Sequence, residues 1–199
     1  KLRGVRWLPV VQQQPLENMP WRCKEDDIVA SATDVRMSSD MWLASASKFI
    51  LDGDIRSPEL REHFGVDTPL SGTVLTRQLK AYAAAHSVAS GNDTWSQTMA
   101  SVVPKLYEEI GRLVVGAGPL QEQALSVRSS LEGEAWVWVG YAFVDSSRVA
   151  FRGFANSQPY LHTVPSDLRS FNRLFKALGV RDSFSSKDYT NALESMADD

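Results

Sequence analysis

Two glycines, 114 positions apart, constrain this chain more than any other feature. Ser57-Pro58 supplies a cap with proline at the first helical position and opens a short helix through Leu60 and Phe64 that stops at Gly65. Leu174 and Leu178 lead in the same way to Gly179. Glycine just past a helical apolar run is a common terminator, because it takes up a left-handed conformation without steric cost. With no gap, the same offset matches Leu60 with Leu174, Gly65-Val66 with Gly179-Val180, Ser71 with Ser185, Thr76 with Thr190 and Leu79 with Leu193. The apolar residues Phe64, Leu70 and Leu75 recur as Leu178, Phe184 and Tyr189, and Val35 falls on Val149. The spacing predicts two related units.

The strands support the same pairing. Residues 4–11 read as a strand in which Pro9 marks an edge or a bulge, since proline cannot donate to a ladder. Its counterpart is the run Trp136-Val137-Trp138-Val139-Gly140. Trp7 to Val35 is longer than Trp136 to Val149 by 15 residues, mostly in the polar stretch from Gln12 to Asp27, so the first unit is expected to carry a loop insertion. Short β-leaning pieces surround Val35 and Phe49-Ile50-Leu51. Glu134 to Phe143 and Arg148 to Phe151 read as a hairpin turning at Asp145-Ser146-Ser147.

Helices fill the remainder. After Ser71, Leu75, Leu79 and Tyr82 share a face. Thr94 and Gln97 have capping-box spacing before the longest run, Met99, Val102, Val103, Leu106, Tyr107, Ile110 and Leu113, where Pro104 predicts a kink or a break. Gly116-Ala117-Gly118-Pro119 should end that element and lead into a helix to about Leu131. Ser166 is placed to cap a helix presenting Leu168, Phe171, Leu174, Phe175 and Leu178, and Ser185 with Asp188 forms a capping box ahead of Tyr189, Ala192, Leu193 and Met196. The resulting class is α+β: a first strand/helix unit over 1–93, connecting helices over 94–130 and a second unit over 131–199.

Bulk properties remove several functions. With 43% apolar and 23% charged residues among 199, the chain can bury a core. Residues 1–100 carry 11 basic and 12 acidic side chains and residues 101–199 carry 10 and 12, so there is no basic stripe to neutralise phosphates and no nucleic-acid partner is expected. No apolar run spans a bilayer and no signal-peptide pattern opens the chain, so no membrane partner is expected. A lone Cys23 points to a reducing compartment, and together these give a cytoplasmic expectation. The start at Lys1-Leu2-Arg3, without Met and inside a strand-like pattern, suggests a piece of a longer polypeptide.

Residues that do chemistry are sparse. His63, His86 and His162 are scattered and no Gly-x-Ser-x-Gly elbow exists, so no nucleophile–base–acid set is legible. Lys24 beside Cys23 could lower the thiol pKa, but a loop thiol without a motif is the simpler reading. One cysteine and three dispersed histidines do not make a zinc site, Glu25-Asp26-Asp27 lacks the alternating ligands of a calcium loop, and Gly116-x-Gly118 is a helix terminator rather than a dinucleotide fingerprint. Asn92-Asp93-Thr94 is read as a chance glycosylation match. No catalytic, cofactor or metal residue is assigned. Trp136 and Trp138 are expected on opposite faces of their strand, one in the core and one toward a neighbour or solvent, or else both buried. The packing set is Trp136, Trp138, Phe171, Phe175, Leu178 and Tyr189, and the candidate interface is Trp7, Trp138, Tyr160 and His162.

Trp136 to Gly140, Phe143, Val149, Pro159-Tyr160-Leu161, Val164-Pro165, Leu174 to Val180, and Phe184, Tyr189 and Leu193 together resemble a repeat segment of the sacsin-like giant co-chaperones, and Trp7-Leu8-Pro9-Val10 resembles the Trp-x-Pro-Val strand of the same repeats. Ala142-Phe143 and Asp145 depart from that pattern, which often has Gly-Phe and Pro in the hairpin. The resemblance implies a non-catalytic scaffolding or client-contact module. Its implied partners are neighbouring modules of the same long chain and protein clients or heat-shock chaperones. The ATPase signatures of such proteins (a helical Asn, Asp-x-Gly-x-Gly and a glycine lid) are not in this chain, so no cofactor is implied. The competing expectations are a hydrolase-type site between the units, built from acids or His162, and a peptide-binding sheet edge near Trp7 or Trp138.

Overall fold

A computed structural model describes residues 3–88, 93–116, 121–153 and 158–198. The fold is α+β, and its contacts group into two units, Lys1–Ala85 and His86–Asp199. Asn92 of the glycosylation pattern, and Ala117, Gly118 and Pro119, lie outside the described residues.

In the first unit, β1 (Arg6–Pro9) runs antiparallel to β2 (Val29–Ser31), with its register interrupted between Arg6 and Leu8, at Trp7. β3 (Val35–Arg36) is followed by α1 (Met41–Ala44) and then β4 (Phe49–Ile50), which lies parallel to β3. Val35 pairs with Phe49 and Arg36 with Ile50, and Leu51 N–H donates to Arg36 O at 2.9 Å. Pro9 sits at the end of its ladder, where only its carbonyl is needed; Asp52 N–H donates to it at 3.0 Å. Leu8, Val10, Ala30, Val35, Phe49, Leu51, Phe64 and Val66 form the core.

α2 (Pro58–Phe64) closes this core. The Ser57 hydroxyl accepts from Leu60 N–H at 3.2 Å, and Gly65, with φ +71°, ends the helix by donating to Arg61 O and Glu62 O. Val66 N–H then reaches back to Arg61 O at 3.2 Å. α3 (Gly72–Val88) follows, burying Leu75, Leu79 and Tyr82. Gln78, wholly buried on α3, accepts from Ala46 N–H at 2.7 Å and donates to Ser45 Oγ at 3.3 Å, tying the helix to the loop before β4.

The second unit opens with α4 (Asp93–Val115) and α5 (Gln121–Leu131). Pro104 does not divide α4, which runs 23 residues through it. Proline in a helix costs about 3 kcal/mol, whereas Met99, Val102, Val103, Leu106, Tyr107 and Ile110 are each buried on one face, and each apolar side chain contributes about 1.5–3 kcal/mol. Thr94 lies inside the first turn, where its carbonyl accepts from Thr98 Oγ1.

Next, β5 (Ala135–Trp138) pairs antiparallel with β6 (Phe143–Asp145), and the register breaks between Ala135 and Val137, at Trp136. The irregularity at Trp7 thus recurs at Trp136, and the partner residues Val29, Ala30 and Ser31 recur as Phe143, Val144 and Asp145. β7 (Val149–Arg152) pairs in parallel with β8 (His162–Thr163), Val149 with His162 and Ala150 with Thr163, as Val35 pairs with Phe49 and Arg36 with Ile50. Val164 N–H donates to Ala150 O at 3.0 Å, matching the Leu51–Arg36 bond. α6 (Asn172–Ala177) ends at Gly179, φ +97°, and Val180 N–H donates to Phe175 O at 2.9 Å, the bond Val66 makes to Arg61.

The second unit has a third parallel strand, β9 (Arg181–Ser183), on the other side of β7, ahead of α7 (Ser186–Asp198). At the offset of 114, Ser183 falls on Pro69, which has no N–H to donate. There the first unit uses a side chain: Arg36, buried, donates to Thr68 O at 2.5 Å.

Three local expectations are corrected. The hairpin turns at 139–142, where Gly140 has φ +99° and Val139 N–H donates to Ala142 O at 2.9 Å. Asp145 instead caps a 3-10 turn, Ser146–Arg148, accepting from Ser147 N–H at 2.7 Å, and this leads the chain out of the hairpin into β7. Ser166 does not cap: it begins a 3-10 segment, Ser166–Phe171, that becomes helical at Asn172. Finally, residues two apart on a regular strand share a face; the irregularity at Trp136 gives the two tryptophans different neighbours, and both are buried.

The capping box at α7 forms as expected: Asp188 Oδ2 accepts from Ser185 N–H at 2.8 Å and Ser185 Oγ at 2.7 Å, and Asp188 pairs with Arg181.

Gly179→Val forces a β-branched side chain into a positive-φ position and should destabilise the protein by about 1–3 kcal/mol. An added Cβ finds its nearest neighbour, Ser146 Oγ, at 3.7 Å, so the cost is conformational; Gly179→Asn should cost less. An unchanged Tm for the valine variant contradicts this. The bonds from Ser185 and Arg181 hold Asp188 at a pKa of about 2, below its ordinary value. A lowered carboxylate pKa contributes stability above the unfolded value, about 3.9, that is lost as pH falls through 2. The difference in denaturation midpoint between the natural chain and Asp188→Asn should therefore shrink between pH 5 and pH 2; a pH-independent difference refutes it.

Candidate functional site

The most developed side-chain cluster lies in the second unit. α4 brings Tyr107 over β5, where α6 delivers Phe175; the tyrosine ring stands edge-on to Trp136 at 6.0 Å and to Phe175 at 5.1 Å. Its hydroxyl donates to Trp136 O at 2.8 Å and accepts from Trp138 N–H at 2.8 Å. Both strand groups are buried beside the break in the ladder, so without the hydroxyl they would lose that partner. Complete burial pushes the Tyr107 phenol well above its ordinary pKa, so it stays protonated and can make both bonds.

A second cluster joins Trp138, His86, Tyr141 and His162. Trp138 meets His86 edge-on at 5.1 Å and Phe143 at 5.0 Å. His86 Nε2 shares a hydrogen bond with Tyr141 O at 2.8 Å, and the Tyr141 hydroxyl shares one with His162 Nδ1 at 3.1 Å. Burial, reinforced by the positive charge of Arg148 and opposed by the Pro159 carbonyl, lowers the His162 pKa, which favours a neutral imidazole.

Of the four residues proposed for an interface, Trp138 is 2% and His162 3% exposed, so both face the interior of the second unit. Tyr160 is half-buried beside an open groove of about 640 Å³ lined by Arg148, Tyr160, Arg181, Asp188 and Ser195. Both arginines of that groove are engaged: Arg148 donates to Pro159 O at 2.6 Å and Tyr160 O at 2.8 Å, and Arg181 pairs with Asp188. Trp7 is 40% exposed and lies edge-on to Phe64 at 5.6 Å.

The other reactive side chains are held in structural roles. Burial and the nearby Asp27 carboxylate raise the Cys23 pKa, the opposite of an activated thiolate, and its thiol lies 3.4 Å from Asp27 O. Asp27 accepts from Lys24 N–H and pairs with Arg6 at 2.9 Å, both lowering its pKa, so the acidic triplet closes a loop. His63 is exposed at the end of α2 and lies edge-on to Phe64. Among the described residues, no group of three His, Cys, Asp or Glu is placed to hold a metal ion, and no helix is long and apolar enough to cross a membrane.

No family model and no solved structure matches the chain. It is similar to human sacsin (Homo sapiens), 22% identical over 209 residues that include 98% of this chain and 4% of sacsin. The chain therefore spans a small fraction of that relative's length.

Tyr107→Phe should destabilise the protein by about 1–3 kcal/mol, because it strands a buried carbonyl and a buried N–H at once. Hydrogen exchange at the Trp138 amide checks the cause: it should accelerate more than exchange in α7, and an equal change at both would refute the bridging role.

Proposed function

We propose that this chain is a non-catalytic structural and interaction module of a sacsin-like, chaperone-associated cytoplasmic protein, working through neighbouring modules of the same long chain and through protein clients or heat-shock chaperones. The observation that carries this reading is the spread of the similarity over nearly the whole chain, and the residues whose pattern resembles the sacsin repeats serve packing here. Trp136, Trp138, Leu174, Phe175 and Val180 are buried, and Gly65 and Gly179 end helices. The matching registers of the two units support one plan used twice, with the helices of α4 and α5 added to the second. The hydrolase reading finds less support, since His162 is buried against a tyrosine hydroxyl and Cys23 is shifted away from reactivity.

Client contact is tested with thermally unfolding luciferase as the probe. The chain should suppress luciferase aggregation at near-stoichiometric ratios without ATP, and should turn over neither ATP nor a panel of activated esters. Turnover that survives repurification and is lost on His162→Ala would replace this reading with the enzymatic one.

A further inference from the structure

We propose that the Trp7–Leu60 face of the first unit is a docking site for an amphipathic helical pair of the α4–α5 kind, entering β1 through the turn at Arg3-Gly4. The inference rests on the correspondence of the two units and not on the chaperone-associated role. Trp7 and Trp136 occupy the same irregular position of matching hairpins, and Leu60 and Leu174 the same position of matching helices. Yet Trp7 is 40% and Leu60 47% exposed, whereas Trp136 is 1% and Leu174 2% exposed. For the tryptophan the difference has an identified source: in the second unit α4 packs on α6 and sets Tyr107 against Trp136 and Phe175.

The approach to the strand matches as well. α5 ends at Leu131 and reaches β5 through a turn at Glu132-Gly133, three residues before Trp136 at its closest. Arg3-Gly4 forms a turn at the same distance before Trp7, and Val5 beside it is 50% exposed. The first unit thus has both the seat for such helices and the turn that would deliver them.

The chemistry of the occupant can be narrowed. Phe175, which meets Tyr107, is replaced at the same offset by Arg61, whose guanidinium reaches Asp54 at 2.6 Å and Asp67 at 3.8 Å. Trp138, whose N–H the Tyr107 hydroxyl serves, is replaced by Pro9, which has none. The occupant therefore presents a narrow apolar stripe to Trp7 and Leu60 and a polar rather than aromatic residue beside Arg61, and it needs no tyrosine.

The test joins a second copy of residues 93–134 directly to Arg6, in two forms: unchanged, and with Tyr107→Glu in the added copy. Hydroxyl-radical footprinting follows Trp7 and Leu60, with Leu193, 65% exposed on α7, as reference. Modification of Trp7 and Leu60 should fall at least fivefold in one or both extended proteins, with Leu193 unchanged and added helix seen by circular dichroism. Leu60→Asp should restore Trp7 reactivity. The proposal is overturned if Trp7 stays as reactive in both extended proteins as in the unextended chain, whether or not the helices form. It is also overturned if Trp7 becomes protected in the unextended chain as concentration rises, which would assign the face to a second copy.

Discussion

Strands of two to four residues cannot hold this fold by their ladders alone, and everything else follows from what covers them. The second unit shows how this is solved. A break in the β5 register leaves Trp136 O and Trp138 N–H to be satisfied, and one tyrosine hydroxyl from α4 serves both while its ring closes the aromatic cluster with Phe175. Polar satisfaction and apolar burial are thus met by one side chain. This also explains why α4 tolerates Pro104: the helix is held by its buried face rather than by its complete set of hydrogen bonds.

What was legible in the sequence was local. Ser57-Pro58, Gly65, Gly179 and the Ser185–Asp188 box act within three or four residues of themselves, so their chemistry is visible without knowing the fold. The hairpin turn was misplaced because Gly140, read as part of the strand, supplies the positive φ of the turn, while the Asp145 side chain draws the chain out of the ladder. β9 gave no signal, since Arg181, Asp182 and Ser183 are all exposed and join the sheet through backbone groups alone. Tyr107 could be read as a helix-face residue, but its two partners lie 29 and 31 residues away, beyond any local rule. Trp138 and His162 illustrate the same limit from the other side: aromatic character suits an interface and a core equally, and tertiary packing put both inside.

The correspondence of the units explains which positions vary. Backbone-determined positions keep their residues, as Gly65 and Gly179 do, because positive φ penalises every side chain. Positions that meet Tyr107 in the second unit differ in the first: Arg61 stands where Phe175 does, and Pro9 where Trp138 does. A proline at Trp138's place would leave the Tyr107 hydroxyl without its donor, and a phenylalanine at Arg61's place would stand in water unless something covered it. The two substitutions are compatible with each other and with a different, less aromatic cover.

A common frame that varies in its cover can present different faces to different helices. The hairpin, the parallel pair and the glycine-ended helix recur in both units with matching short-range bonds, while the residues that stand over the tryptophan differ between them. Recognition then depends on which helices fit that face. In the second unit the face is filled from within by α4, and its aromatic and hydroxyl contacts are specific to Trp136 and Trp138. In the first unit the corresponding tryptophan keeps an edge contact to Phe64 but remains open to solvent, a position in which a large apolar ring gains by burial against a partner rather than by further packing within its own unit.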